Sequence, residues 1–285
     1  MAEILKGLPV ANELSDRLIK RCEILKSNKI VPTVAILRVG ENPGDISYEN
    51  GAVKRCEKIG IEIKKFLLPE HSSQEKVLEA IETVNSDKNI HGCLMFRPLK
   101  DKKAEQAACE ALLSQKDIDC MTSKSLAKVF TGNGIGYPPC TAQACIEILD
   151  HYGIEIQSKN VVVIGRSLVI GKPVSMMLQN RNATVTMCHS KTKNLSEISR
   201  NADIIVAAIG KANFVDSKFV SSGQIIIDVG INVASDGKLC GDVNFNDVEP
   251  IVNKITPVPG GVGSVTTAVL AKHIVEAAEK SMEVV

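Results

Sequence analysis

The stretch "SYENGAVK" (47–54) sets a chemical problem. Tyr48 is one of only three tyrosines in 285 residues, and it stands in a helical pattern. On a helix the side chain facing the same way one turn later is four positions on, which here is Ala52. Lys54, the nearest base, lies six positions on and about 120° around the helix. A tyrosine can stack on a ring or share a hydrogen bond. With alanine beneath it, this face offers no second group to move a proton.

A different chemistry is written in "VVVIGRSLVIGKPVSMML" (161–178), an apolar run, a glycine-containing turn and a helical pattern in which Pro173 is expected to start the helix. Gly165 allows a tight turn off a strand, and Gly171 lets a helix N-terminus approach a diphosphate. Arg166 and Ser167 add a charge and a hydroxyl to the turn. The generic Gly-x-Gly-x-x-Gly spacing is absent. The next apolar run ends "MCHSKTKN" (187–194), with Ser190, Lys191 and Lys193 and no acid. Sites that prefer NAD place a carboxylate there for the ribose 2′-hydroxyl, whereas a 2′-phosphate would sit well beside Ser190 and Arg166. NADP is therefore the expected cofactor, with NAD as the alternative.

These groups need elements to position them. Short β-rich runs alternate with amphipathic helices, the pattern of an α/β architecture with a mainly parallel sheet. Strands are predicted at 33–39, 61–68 and 90–96, with helices at 48–59 and 75–84. Ser72-x-x-Glu75 reads as a capping box for the second helix. The Gly- and Pro-rich stretch "FTGNGIGYPPCTAQ" (130–143) breaks the pattern. Beyond it, near-continuous apolar runs at 160–165, 183–188, 202–210 and 224–231 read as parallel strands covered on both faces. A final amphipathic helix is predicted over 266–282.

Composition narrows the function. Lys+Arg 34 against Asp+Glu 33 leaves no electrostatic footprint for nucleic acid or an anionic membrane. No apolar run approaches the roughly 18–20 residues of a spanning helix, and the first residues show no signal-peptide pattern. The nine cysteines form no Cys-x-x-Cys pair and no two histidines are three to five residues apart, so no metal site is expected. His189, beside Cys188, is read as a loop or core residue. Reduced thiols in a cytoplasmic protein are the expectation.

Three stretches together, "GRSLVIGKP" (165–173), "IIIDVGIN" with "GDV" (225–232, 241–243) and "ITPVPGGVGSVT" (255–266), carry a resemblance. With Tyr48, "KDID" (116–119) and "PPCT" (138–141), the chain resembles the methylenetetrahydrofolate dehydrogenase/cyclohydrolase family along nearly its whole length. The resemblance implies two domains: an N-terminal α/β folate-cleft domain, 1–139, completed by a C-terminal helix, 264–285, and a Rossmann-type parallel-sheet domain, 140–263, that binds NADP. It implies that Gly165, Arg166, Ser167 and Ser190 contact the cofactor, that Ile231 does so through its backbone, and that Thr141 stands near the nicotinamide. It implies that Tyr48 stacks on the folate, that Asp119 hydrogen-bonds the pterin, and that Pro257, Gly260 and Gly261 close over the substrate. Tyr48 and Asp119 are thus the candidate catalytic residues, tetrahydrofolate one-carbon derivatives the candidate substrates, and a homodimer the expected assembly.

The chain also departs from that pattern. The family's hydrolytic step relies on a lysine four residues after the tyrosine, assisted by a glutamine in a Val-Gln-Leu-Pro stretch. Here the first position is Ala52, and "MFRPL" (95–99) puts Phe96 at the glutamine and Arg97 after it. Ser264 and Val265, Cys120 and Ala142 are further departures. The expectation is a dehydrogenase with weak or absent cyclohydrolase activity. The alternatives are a full bifunctional enzyme, its proton chemistry carried by Lys54 or by Arg97 and water, and a non-catalytic folate- or nucleotide-binding protein.

Overall fold

The computed structural model describes residues 1–234 and 236–282. In chain order the elements begin β1 (Glu3–Ile4), α1 (Gly7–Ser27), β2 (Thr33–Val39), α2 (Pro43–Ile59), β3 (Glu62–Leu68), α3 (Gln74–Ser86) and β4 (Gly92–Met95). They continue α4 (Lys102–Ala111), α5 (Ser123–Thr131), α6 (Cys140–His151), β5 (Asn160–Ile164), α7 (Gly171–Gln179), β6 (Thr184–Cys188) and α8 (Leu195–Arg200). The last are β7 (Ile204–Ala207), β8 (Ile225–Asp228), β9 (Asn232–Val233), β10 (Leu239–Cys240), α9 (Phe245–Val248), β11 (Lys254–Ile255) and α10 (Thr266–Met282). Packing divides the chain into two compact units. One comprises Met1–Asn12 with Thr141–Thr266, the other Glu13–Cys140 with the segment from Thr267. Residues 283–285 of the expected C-terminal helical segment lie outside the described residues.

In the unit around Glu13–Cys140, β2 is the centre of a parallel sheet of order β3-β2-β4, with Val34 opposite both Ile63 and Gly92. Its run "TVAILR" is buried throughout, as an apolar central strand requires. Ala35 and Leu37 pack with Val77, Ile81 and Val84 of α3 and with Met95 of β4. Edge strand β3 instead mixes exposed and half-buried residues. Helix α2 starts at 43, five residues before the predicted 48. The signal is Asn42-Pro43: the Asn42 side chain accepts from Gly44 N at 2.8 Å, and proline takes the first helical position. Gly60, in the left-handed region at φ 91°, ends the helix. The expected capping box does not form. Ser73, not Ser72, is the N-cap of α3; Glu75 bonds the Ser73 hydroxyl, and Ser72 Oγ is buried with no partner among the described residues.

The unit around Thr141–Thr266 holds a six-stranded, all-parallel sheet of order β1-β11-β8-β7-β5-β6, with a small antiparallel pair, β9 and β10. The core beneath it joins Val162, Ile164, Ile205, Ala207 and Ile226. Two predicted strands are shorter than their apolar runs: 202–210 yields β7 and 224–231 yields β8. The reason lies in the backbone. The N–H groups of Ile209, Gly210 and Lys211 turn away from the ladder to a carboxylate, that of Asp242. Strand β6, predicted to be covered on both faces, is the sheet's outer strand, with Thr184 and Thr186 exposed. The two-residue strand β1, too short to show a period, closes the opposite edge by pairing Glu3 with Lys254.

Candidate active site

Tyr48 lies in the second turn of α2, where Glu49, Ala52, Cys56 and Ile59 form the buried stripe. Ala52 is 1% exposed and Lys54 is exposed, so the base six positions on does face elsewhere. The helix is itself pinned by a buried carboxylate. Glu49 accepts from Arg38 Nε of β2 and Lys65 Nζ of β3, each at 2.8 Å. Burial pushes the Glu49 carboxyl up, but the bonds from Lys65 and Arg38 outweigh it and hold it below its usual range. Against Tyr48 stands the ring of Phe96, edge to face, with centroids 6.0 Å apart and planes at 80°.

Asp119 sits in a tightly organised turn. Its Oδ1 accepts from Cys140 N at 2.8 Å. The carboxylate of Asp117 accepts from Met121 N and Thr122 N at 2.9 and 2.8 Å, and Cys120 between them takes φ 58°. The carbonyl of Ile118 accepts from Cys140 Sγ at 3.4 Å and His273 Nδ1 at 2.9 Å. A carbonyl cannot donate, so His273 carries its proton on Nδ1. Burial raises the Asp119 carboxyl, opposed by the bonds from Cys140 and by the charge of Arg97. Burial also lifts the Tyr48 hydroxyl well above its ordinary range, reinforced by Cys140 and Asp119. This unit therefore gathers Tyr48, Asp119, Phe96 and Arg97. It holds an aromatic platform, a carboxyl and a guanidinium, with Phe96 against the tyrosine and Ala52 one turn along the helix.

In the other unit the glycine turn follows β5. Gly165 has φ 143°, and a Cβ there would stand 2.1 Å from Ala208 O. A Cβ on Gly171 would stand 2.3 Å from Gly165 O and 2.7 Å from Arg166 N. Side chains are excluded from both positions, leaving bare backbone at a helix N-terminus, the cradle a dinucleotide diphosphate needs. The helix begins at Gly171, two residues before the predicted Pro173. Ser167 Oγ accepts from Ile170 N at 3.1 Å, so the hydroxyl also shapes the turn. Arg166 is exposed, and so is Ser190 in the turn after β6. That turn is closed by His189, whose N–H donates to Thr192 Oγ1 at 2.9 Å and whose Nδ1 accepts from Lys191 N at 3.2 Å. Thr141 is the second residue of α6. Ile231, 65% exposed, lines a cavity of about 160 Å³ with Pro257, Gly260, Gly261 and Ser264.

Two buried carboxylates in this unit have no role in the sequence reading. Asp228, 3% exposed at the end of β8, accepts from Gly230 N, Asp242 N and Val243 N, each at 3.0 Å. Burial lifts its carboxyl to about 7 against those three donors, with the charge of Asp242 adding to the rise. Asp242 is fully buried and accepts from Ile209 N, Gly210 N, Lys211 N and Asn232 Nδ2 at 2.5, 3.0, 2.9 and 2.9 Å. The available signal was a charge at the end of the apolar run "IIID". Among the described residues no group of three or more His, Cys, Asp or Glu could hold a metal ion, and no helix is long and apolar enough to cross a membrane.

A parallel sheet with a glycine turn at its switch point, in a chain whose other α/β unit bears an aromatic and a carboxyl, defines a two-unit α/β protein with a Rossmann-type nucleotide-binding half. Residues 5–119 match the catalytic domain of tetrahydrofolate dehydrogenase/cyclohydrolase, and residues 139–282 match its NAD(P)-binding domain. The chain belongs to the tetrahydrofolate dehydrogenase/cyclohydrolase family. It is 50% identical to the bifunctional protein FolD of Clostridioides difficile (strain 630), over 96% of each chain. The bifunctional FolD of Campylobacter jejuni has a crystal structure with TM-score 0.94 and 36% identity, covering 98% of this chain and 99% of that one. The Trypanosoma brucei dehydrogenase-cyclohydrolase, solved with NADP and an inhibitor, gives TM-score 0.92 at 29% identity, over 99% and 98% of the two chains.

Proposed function

We propose that this protein oxidises 5,10-methylenetetrahydrofolate to 5,10-methenyltetrahydrofolate with NADP, and hydrolyses the product weakly or not at all. The carrying observation is the surroundings of Tyr48. One turn along the helix is the buried methyl of Ala52, and the ring of Phe96 stands against the tyrosine. NADP, when bound, supplies the hydride acceptor. Hydride loss leaves a resonance-stabilised methenyl cation, so the protein must hold donor and acceptor in place but need move no proton. Hydrolysis differs: it needs activated water, and a positioned acid–base group contributes typically 10²–10⁴-fold.

In this proposal Tyr48 is the platform on which the pterin stacks, and Asp119 hydrogen-bonds it. Pro257, Gly260 and Gly261 let backbone come close to the substrate. Gly165, Arg166, Ser167 and Ser190, with Thr141 and the backbone of Ile231, hold the cofactor in a cytoplasmic homodimer. Arg166 and Ser190 are the 2′-phosphate partners, so Arg166→Ala should lower kcat/KM for NADP about tenfold and leave that for NAD nearly unchanged. Equal losses with both cofactors would remove Arg166 from that role.

A second reading is the full bifunctional enzyme, and the relatives favour it: proteins 44–50% identical over nearly the whole chain carry the name bifunctional. It requires Arg97 with water, or Lys54, to replace the missing base. Arginine, protonated to above about pH 12, is a poor proton shuttle, and Lys54 is exposed on α2. The assay is direct. Purified protein given methylenetetrahydrofolate and NADP should accumulate the methenyl product. Rapid appearance of 10-formyltetrahydrofolate, abolished by Lys54→Ala or Arg97→Ala, would establish the second reading instead. Ligand binding without NADP reduction would leave only a binding protein.

A further inference from the structure

The larger sheet's order fixes where a dinucleotide enters. Strand β5 is followed in sequence by β6 on one side and β7 on the other, so the switch point lies between β5 and β7. Ligands of open parallel sheets bind outside the carboxyl ends of the strands at that point. The segments that meet there are the Gly165 turn and 208–211, within van der Waals reach of each other at Gly165 and Ala208 O.

Three successive N–H groups of the second segment, from Ile209, Gly210 and Lys211, converge on one carboxylate, the first two on Oδ2 and the third on Oδ1. Successive backbone amides aimed together make an anion-binding concavity. Its occupant here belongs to the chain: the carboxylate of Asp242. Asn232 Nδ2, next to Ile231, supplies the fourth bond. An ionised carboxylate has about four acceptor sites, and all are used. The backbone packs closely around it. A Cβ on Gly230 would meet Asp242 Cγ at 2.3 Å, and one on Gly241 would meet Asp228 Oδ2 at 1.8 Å. Asp228 in turn holds the amides of Gly230, Asp242 and Val243.

We propose that Asp242 is a positioning residue for the dinucleotide: by filling the amide concavity after β7, it fixes the segments that follow β7 and β8 and reserves the Gly165 turn for the diphosphate. This rests on the cofactor site assigned above, though not on which half-reactions the enzyme performs. A carboxylate is required. An asparagine of the same shape, in either orientation, turns an NH₂ group against two of the four donors. The segment 208–211 would then lose its fixed path at the switch point.

The test uses the full-length protein with Asp242→Asn, reading NADPH affinity by nucleotide fluorescence, both KM values and the melting temperature. NADPH affinity should weaken and KM for NADP rise, each about tenfold, as expected for losing bonds to a charged group. KM for methylenetetrahydrofolate should stay within about twofold. A variant with a lower melting temperature but unchanged NADPH affinity would overturn the proposal, since a merely structural role moves only the first. If Asp242→Asn does not fold, Asn232→Ala removes one donor and keeps the three backbone bonds. NADPH binding should then weaken about threefold at an unaltered melting temperature, and unchanged affinity overturns the proposal. Wild-type protein that fails to bind NADPH would sink the cofactor site itself. Normal wild-type binding with indifferent variants sinks only the role of Asp242.

Discussion

At the scale of single residues, Asp228 couples the fold to pH. Its carboxyl titrates at about 7 when folded, against an ordinary 3.8. Between those values the folded chain keeps a proton that the unfolded chain has released, so stability falls as pH rises through the window, by at most about 1.4 kcal/mol per unit. Below it both states are protonated and the effect vanishes. Urea unfolding at pH 5 and 7 should show wild-type losing about 2 kcal/mol more than Asp228→Asn; parallel losses would assign Asp228 an ordinary pKa. The same scale holds the sharpest test of the missing hydrolytic pair. Ala52→Lys with Phe96→Gln should raise methenyl hydrolysis at least about 10²-fold, at some stability cost because Ala52 is tightly buried. Absence of any gain would show that the loss lies elsewhere. Ala52 could be read from sequence because helical spacing is local. The contact of Phe96 with Tyr48 could not, since it joins residues 48 positions apart, nor could the bonds of Asp242 to 209–211.

At the scale of elements, α2 is held by charge as much as by its apolar stripe. Arg38 is the penultimate residue of the largely apolar β2, only 9% exposed, with Glu49 as its partner. Removing one side of a buried pair strands the other, so Glu49→Ala should cost about 3–5 kcal/mol. Differential scanning calorimetry would register it, and a loss below about 1 kcal/mol would place the pair in the class of surface ion pairs. The turn after β5 is equally intolerant. Gly165→Ala combines positive φ with a clash against Ala208 O, and should lower NADPH affinity at least about tenfold. Wild-type affinity in that variant would show that the turn can relax. Most elements were legible: β2 and α10 have their predicted bounds, because an unbroken apolar run and a clean helical period each encode one answer. The shortfalls arose where side chains compete for backbone. Asn42 captured residues for α2, and Asp242 drew three amides off the end of β7.

At the scale of the whole molecule, the two-residue strand β1 has the largest leverage for its size. It covers β11, whose other neighbour is β8, and without it β11 would be an open edge offering unpaired groups to other chains. Deleting residues 2–5 should leave the glycine turn intact yet increase aggregation on heating, measured by light scattering; unchanged scattering would mean that β11 protects itself. Glu3 pairs with Lys254, 251 positions along the chain. At synthesis rates of about 5–20 residues per second, roughly 10–50 s separate the making of the two partners on a ribosome. Throughout that interval Glu3 and Ile4 lack their strand partners, and this edge of the sheet closes only once Lys254 and Ile255 have been made.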